Sequence, residues 1–432
     1  MKEAKLKKWT VILIQALLIL PLVQRKTSLF DIAPLKGAIV QESNVFFTWT
    51  GWYDESYQHG KEKYINQQFG FRNTLVRLNN QIDFSVFNKA NANGVVVGKQ
   101  NYLYEENYIR DFKGANFIGR ERIREVVNRL VSIDSVFRKL NKTLLVVFAP
   151  GKASFYPEFI PDRYLQVNDS TNFKSYREAI ATSGISYIDF NTYFCQQKNR
   201  GPFLLYPKTG IHWSDYGSLL AVDSISRLLG SLRGYDPVQM YWDEYIQKDS
   251  VSMIDGDIES GMNLLFEISK PRLRYPIVQY DEAGKYRPSL INIGDSFYWN
   301  IYSKDVANKL FNHAGFGYYF KDIYSPLLTT NTDVDEVDVK SLIDQYEVVM
   351  LLYTEATMER FPDSFDKIVY DLYCTELSDT AIYQSRLKAI EDQIRNEPTW
   401  LNKVKEKAKK KNRSVEEMIR LDALFVLRTS NQ

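Results

Sequence analysis

The sequence predicts an α/β protein built on a doubly wound parallel sheet, with an N-terminal membrane anchor and a C-terminal helical extension. Three observations carry this. Strand-length apolar runs alternate with helical periodicities through the middle of the chain, the arrangement of a parallel sheet with crossover helices. A lysine-rich N-terminus precedes a long apolar run, and beyond about residue 375 strands give way to polar helices.

At the N-terminus Lys2, Lys5, Lys7 and Lys8 precede an apolar stretch from Trp9 to Val23, interrupted only by Gln15 and Pro21. This is the layout of a signal peptide or signal anchor. Gln24-Arg25-Lys26-Thr27 lacks a small-x-small cleavage pattern, so the expectation is an uncleaved single-pass anchor. Residues 1–8 would be cytoplasmic, 9–24 would span the inner membrane, and the main domain would be periplasmic. Residues 25–93 form a mixed, aromatic N-terminal subdomain with a helical stripe at Leu75, Leu78, Ile82 and Val86. The α/β domain is expected over 94–374 and the helical extension over 375–432.

The α/β domain opens with a predicted hairpin, Gly94–Gly98 and Tyr102–Tyr104 around Lys99-Gln100-Asn101. The spacing from Gly94 to Lys99 is one residue short of a phosphate-binding loop, and neither Ser nor Thr follows the lysine. Ile123, Val126, Val127, Leu130, Ile133 and Phe137 mark an amphipathic helix over 120–140. Thr143–Phe148 follows as a continuous apolar strand of the type buried on both faces. The alternation continues with a helix over 172–182, a strand over 185–190, a helix from Asp215 closed by Gly230, a strand at Leu290–Ile293, a helix from Phe297 to Leu310, a helix around 339–346 and a strand over 348–353. In the extension, helices are expected over 381–396, 400–411 and 414–427, with Ser414-Val-Glu-Glu417 as a capping box.

Composition narrows function. The chain of 432 residues has 55 basic and 53 acidic residues and a net charge of +2, which offers no electrostatic case for nucleic acid. Its three histidines, His59, His212 and His313, and two cysteines have no metal-ligand spacing, and no cofactor is expected. An exported location permits a Cys195–Cys374 disulfide. Aromatics at 14% suit a carbohydrate surface and equally a core. The lysines from Lys403 to Lys411, with Arg413, read first as a solvated helix face.

Two stretches carry chemistry. In Ser289-Leu-Ile-Asn-Ile-Gly-Asp-Ser-Phe-Tyr298, the run at Leu290 ends in Gly294-Asp295, a sharp turn that sets Ser296 at a helix N-terminus. Unpaired N–H groups and the helix dipole there would stabilise an oxyanion, with Gly294 and Asp295 as the turn and oxyanion residues. By the plain structural reading, Gly-Asp-Ser is an ordinary capped turn. The second stretch, Thr209-Gly-Ile-His-Trp-Ser-Asp-Tyr-Gly217, puts His212 in a loop before a helix capped by Ser214. A serine and a histidine meeting above a sheet are the minimum for nucleophilic acyl transfer. Lys152, in the loop leaving the Thr143 strand, and Trp213 are candidate substrate-binding residues.

Four blocks resemble the SGNH hydrolase-like family of alginate O-acetyltransferases (AlgJ/AlgX type): the Val95–Tyr104 hairpin, Val146–Tyr156 with Ile160-Pro161, His212-Trp213, and Gly294-Asp-Ser-Phe297. The histidine precedes the serine, as in that family. The resemblance implies an SGNH-like fold, Ser296 as nucleophile and His212 as base. It further implies a polysaccharide acceptor outside the cytoplasm and a membrane-bound O-acyltransferase on the donor side. One position departs from the pattern, because Gly210 stands where the family has an aspartate two residues before the histidine. Asp215 and Asp189 are the candidates to orient His212 instead; Asp295 is a further one, though its place in the turn fits a structural role better. Esterase chemistry and a non-catalytic polysaccharide-binding scaffold are the alternatives.

Overall fold

The computed structural model describes residues 2–37, 41–164, 168–201, 203–248, 254–330 and 332–429. Helix α1 covers Lys2–Thr27 and is long and apolar enough over Lys7–Thr27 to cross a membrane by length and composition. Three helices, Trp49–Tyr53, Ser56–Gln67 and Arg72–Phe87, make up most of the N-terminal subdomain. A Cβ on Gly70 would lie 2.0 Å from the Pro21 carbonyl oxygen, so the subdomain backbone lies directly on α1. The predicted hairpin forms, with Val95–Val97 antiparallel to Leu103–Glu105.

A seven-stranded sheet organises the rest. Helix α2 (Arg120–Lys139) leads into strand β1 (Thr143–Ala149), then α3 (Asn172–Ala181) into β2 (Ser186–Asp189) and α4 (Asp215–Arg233). Next come β3 (Ser289–Gly294), β4 (Asn312–Tyr318), β5 (Asp322–Tyr324), β6 (Thr332–Asp333) and β7 (Val348–Thr354). The strand order is β6-β5-β4-β3-β7-β1-β2. The five strands from β4 to β2 are mutually parallel, whereas β5 and β6 add an antiparallel edge. The four strands expected from sequence are consecutive neighbours in this sheet, β3-β7-β1-β2, with β2 at its edge.

Strand β1 shows why its sequence is continuously apolar. Leu144, Val146 and Phe148 enter one buried cluster, with α2, α3 and the C-terminal helices. Leu145, Val147 and Ala149 enter another, with the hairpin and α4. Alternate side chains thus face two covered surfaces, as a doubly wound sheet requires. Helix α5 (Phe365–Cys374) packs on the first face, followed by α6 (Thr380–Asn396), α7 (Pro398–Lys411) and α8 (Val415–Thr429). The α8 capping residue forms its bond, Ser414 Oγ accepting from the Glu417 N–H at 3.1 Å. Lys407 pairs with Asp422 at 2.8 Å and Arg413 with Glu336 at 2.7 Å, so part of the basic cluster fastens α7 in place.

Three local expectations are corrected, and one strand is not foreseen from the sequence. The helix over Phe297–Leu310 is broken into a 3-10 turn (Ser296–Tyr298) and two short helices (Trp299–Tyr302 and Val306–Leu310), with Asp305 left-handed at φ 60° between them. Helix α4 runs through Gly230 and ends at Gly234, which takes the left-handed cap at φ 73°. Strand β4 lies in Asn-His-Ala-Gly-Phe-Gly-Tyr, a segment whose glycines argue against a strand. Those glycines are required by packing: a Cβ on Gly315 would meet the Tyr346 hydroxyl at 2.5 Å, and one on Gly317 would meet Ile293 Cδ1 at 2.6 Å. Cys195 and Cys374 are free thiols.

Candidate active site

The two stretches singled out from sequence meet above the carboxyl ends of the parallel strands. Strand β3 ends at Gly294, and the chain turns so that Ser296 emerges half-buried. Gly294 cannot carry a side chain there, since a Cβ would lie 2.1 Å from the Leu352 carbonyl oxygen on β7. Asp295 builds the turn from within. Fully buried, it accepts from the N–H groups of Phe297 (3.0 Å) and Thr354 (2.7 Å) and from the Thr357 hydroxyl (2.7 Å). Burial raises its carboxyl above the ordinary aspartate value, against the pull of those donors. Asp295 is therefore a clamp tying the serine turn to β7. Its own N–H donates to Leu352 (3.3 Å), so neither its amide nor its acceptor-only carboxylate serves an oxyanion. Gly294 remains within the sheet as a close-packing residue.

His212 reaches the serine from the loop before α4. Its Nε2 lies 2.9 Å from Ser296 Oγ. Its Nδ1 lies 2.6 Å from Oδ2 of Asp257. Asp257 comes from a loop 45 residues further along the chain, and its other oxygen accepts from the N–H groups of Ile211 and Ile258, both at 2.8 Å. The carboxylate is thereby fixed from both sides, one oxygen by backbone donors and the other by the imidazole. This arrangement favours the tautomer with the proton on Nδ1, leaving Nε2 to accept from the serine hydroxyl.

Asp257 was not among the carboxylates suggested by sequence, and those two lie elsewhere. Asp215 pairs with Lys304 at the start of α4. Asp189 caps the helix after β2, accepting from Thr192 N–H at 2.8 Å, and faces Arg177 at 3.4 Å. The local signal for Asp257 is slight: the last aspartate of an Asp-Gly-Asp sequence, opening a six-residue helix, Asp257–Met262. The stronger clue is Gly210. A Cβ there would sit 2.7 Å from the Asp255 carbonyl oxygen and 2.9 Å from that of Ile254. The loop carrying Asp257 lies on the glycine itself, so an aspartate at 210 and this loop exclude one another.

Trp213 and Lys152 are fully buried and support the site from behind instead of touching a substrate. Trp213 donates its indole N–H to the Phe297 carbonyl at 3.2 Å, and Asn300 donates to the Trp213 carbonyl at 3.1 Å. These bonds clasp the histidine loop to the serine turn, and the Phe297 ring packs against the imidazole at 4.9 Å between centroids. Lys152 donates to the carbonyls of Lys208 (2.9 Å) and Gly210, holding the segment just before His212. Burial pushes its ammonium down to about 7, although Asp257 and Glu105 pull the other way.

The triad opens into a cavity of about 410 Å³ lined also by Glu105, Asn107, Tyr108, Tyr319 and Thr357. Burial and the nearby Asp257 charge raise the Glu105 carboxyl above the ordinary value. Residues 95–241 match the family described as "SGNH hydrolase-like domain, acetyltransferase AlgX". This segment is similar to the AlgX-type SGNH hydrolase-like acetyltransferase domain. The AlgX-type match spans the hairpin, β1, β2, His212 and α4, and the triad is completed by Asp257 and Ser296 from beyond it. Among solved structures, the chain is similar to the O-acetyltransferase domain of Pseudomonas putida AlgJ, at 15% identity over 64% of this chain and 99% of that one, with a TM-score of 0.42. It is similar to Pseudomonas aeruginosa AlgX at 14% identity over 65% of this chain and 68% of that one, with a TM-score of 0.41. No curated protein is matched by the sequence.

Proposed function

We propose that this protein is an O-acetyltransferase that carries an acetyl group on Ser296 and passes it to a polysaccharide hydroxyl. The observation that carries this reading is the continuous relay Ser296–His212–Asp257, with contacts of 2.9 and 2.6 Å, opening into a cavity. Ser296 Oγ attacks the acetyl carbonyl of the donor while His212 Nε2 takes the hydroxyl proton. The resulting tetrahedral adduct collapses, His212 returns the proton to the departing group, and acetyl-serine remains. An acceptor hydroxyl then loses its proton to His212 and attacks the acetyl-serine, and the proton goes back to Ser296 Oγ. Asp257 fixes the tautomer and stabilises the imidazolium formed in each half. With the amides of Asp295 and Phe297 committed elsewhere, the Ser296 N–H is the donor the turn leaves for the oxyanion.

Helix α1 would anchor the chain in the inner membrane with the catalytic domain periplasmic. A membrane-bound O-acyltransferase would supply the acetyl group there. The scaffold alternative drew on Gly210 as a missing carboxylate and on the aromatic content, and Asp257 removes the first of these reasons. The test is an assay with an activated acetyl ester and a glycan acceptor. Acetylated glycan that disappears with Ser296→Ala or His212→Ala is expected. Free acetate without acetylated glycan would instead assign an esterase, and neither product would overturn the catalytic reading.

A further inference from the structure

A second cavity of about 410 Å³ adjoins the catalytic one, and Tyr319 lines both. Each falls in the range of small-ligand sites, roughly 300–1,000 Å³. Tyr319 is rigidly placed relative to the nucleophile: left-handed at φ 51°, it donates its N–H to the Gly294 carbonyl at 2.8 Å, two residues before Ser296. The Arg360 guanidinium lies over its ring at 4.0 Å. Thr357, on the wall of the catalytic cavity, and Glu359 and Arg360, on the wall of the second, belong to one short segment after β7. The opposite wall is the face of α2 bearing Arg122, Glu125 and Arg129, at helical spacing.

We propose that this second cavity binds the acceptor chain beyond the sugar being acetylated, and that it takes a neutral, hydroxyl-rich glycan. The proposal rests on the acyltransfer reading for what occupies the first cavity. Its charges decide the ligand class. Arg129 pairs with Asp366 at 2.7 Å and Arg360 with Asp363 at 3.4 Å. Arg122 and Lys367 remain, opposed by Glu125 and Glu359, so cations and carboxylates balance. Among the described residues neither Arg122 nor Lys367 makes an ion pair. Sugar hydroxyls donate and accept, and so satisfy both kinds of side chain. A uronate or phosphate chain would gain two cations but also meet two carboxylates, which works against it.

The test measures glycan binding to the full-length Ser296→Ala protein, which has no nucleophile and so reports the cavity independently of turnover. The probes are neutral glucose, mannose and N-acetylhexosamine di- and tetrasaccharides, with tetrauronates of equal length. At least one neutral tetrasaccharide is expected to bind about ten-fold tighter than its disaccharide. Arg122→Ala and Glu125→Ala, both exposed on α2, are expected to erase that gain while circular dichroism stays unchanged. No gain with length for any neutral glycan, a gain that survives both substitutions, or tighter binding of a tetrauronate would overturn the proposal. Length-dependent binding in a protein whose wild type forms no acetyl-serine would sustain this site and reject the acyltransfer reading, while acetyl-serine without length dependence would do the reverse.

Discussion

In the proposed mechanism Asp257 contributes orientation and charge to His212 without entering the bond changes, so its substitution separates geometry from chemistry. Asp257→Asn keeps shape and the acceptor for the Ile211 and Ile258 amides while favouring the wrong imidazole tautomer. The expected loss is about four orders of magnitude in kcat with little change in KM, by analogy with other serine–histidine relays. A loss under ten-fold, in steady-state kinetics on an activated ester, would remove Asp257 from the relay. At this scale the sequence was legible for the pair to which the proposed mechanism gives the covalent work. Ser296 and His212 sit in compact local patterns, a strand-turn and a loop before a capped helix. Asp257 sits in a turn that resembles any other, and its partner is named only by three-dimensional proximity. Trp213 and Lys152 mislead for a related reason: position beside a functional residue does not tell whether a side chain faces the cavity or the core.

At the scale of elements, the position of the acid is a consequence of loop packing. Gly210 gives room for the Ile254–Asp257 loop, whose backbone would collide with any Cβ there. Gly210→Ala is therefore expected to displace Asp257 and lower activity nearly as much as Asp257→Ala does. Gly210→Asp should not rescue Asp257→Ala, because the loop backbone packed on position 210 leaves no room for its side chain. Rescue of esterase activity in that double variant would show that the loop yields easily and that the acid is interchangeable between the two places. The central strands were legible because each is continuously apolar and bounded by turns. Strand β4 was not, since the glycines that let Tyr346 and Ile293 approach are the residues that erase a strand pattern. The helix expected after Ser296 is broken into a 3-10 turn and two short helices, so an oxyanion at Ser296 would depend on local amides more than on a long helix dipole.

For the whole molecule, two buried carboxyls away from the triad link folding to pH. Burial pushes Glu355 from its ordinary 4.5 up to about 7, against bonds from Ser154 and Asn191, and pushes Asp111 from 3.8 up to about 7. Between the ordinary values and about 7 the folded chain binds more protons than the unfolded one, so these groups lower stability as pH rises through that window. Lys152 acts above it: with its ammonium pushed down from 10.5 to about 7, the unfolded chain binds the extra proton and stability rises from about pH 7 upward. Urea denaturation at pH 5 and pH 7 should thus give a shallower decline for Glu355→Gln than for the wild type. Identical pH dependence in the two proteins would show that Glu355 ionises as freely as in the unfolded chain. The two-faced sheet and the N-terminal apolar helix were legible at this scale, because both are written in hydrophobic pattern. The assembly of the cavity from segments scattered between Ala92 and Thr357 was not.

The central claim is that Ser296 becomes acetylated through His212 and Asp257. The most direct measurement is intact-protein mass after brief exposure to an activated acetyl ester, compared across the wild type, Ser296→Ala and Asp257→Asn. The account predicts one added acetyl group on the wild type, none on Ser296→Ala, and far slower addition on Asp257→Asn. An adduct that persists in Ser296→Ala, or one that forms equally fast without the Asp257 carboxylate, would contradict it.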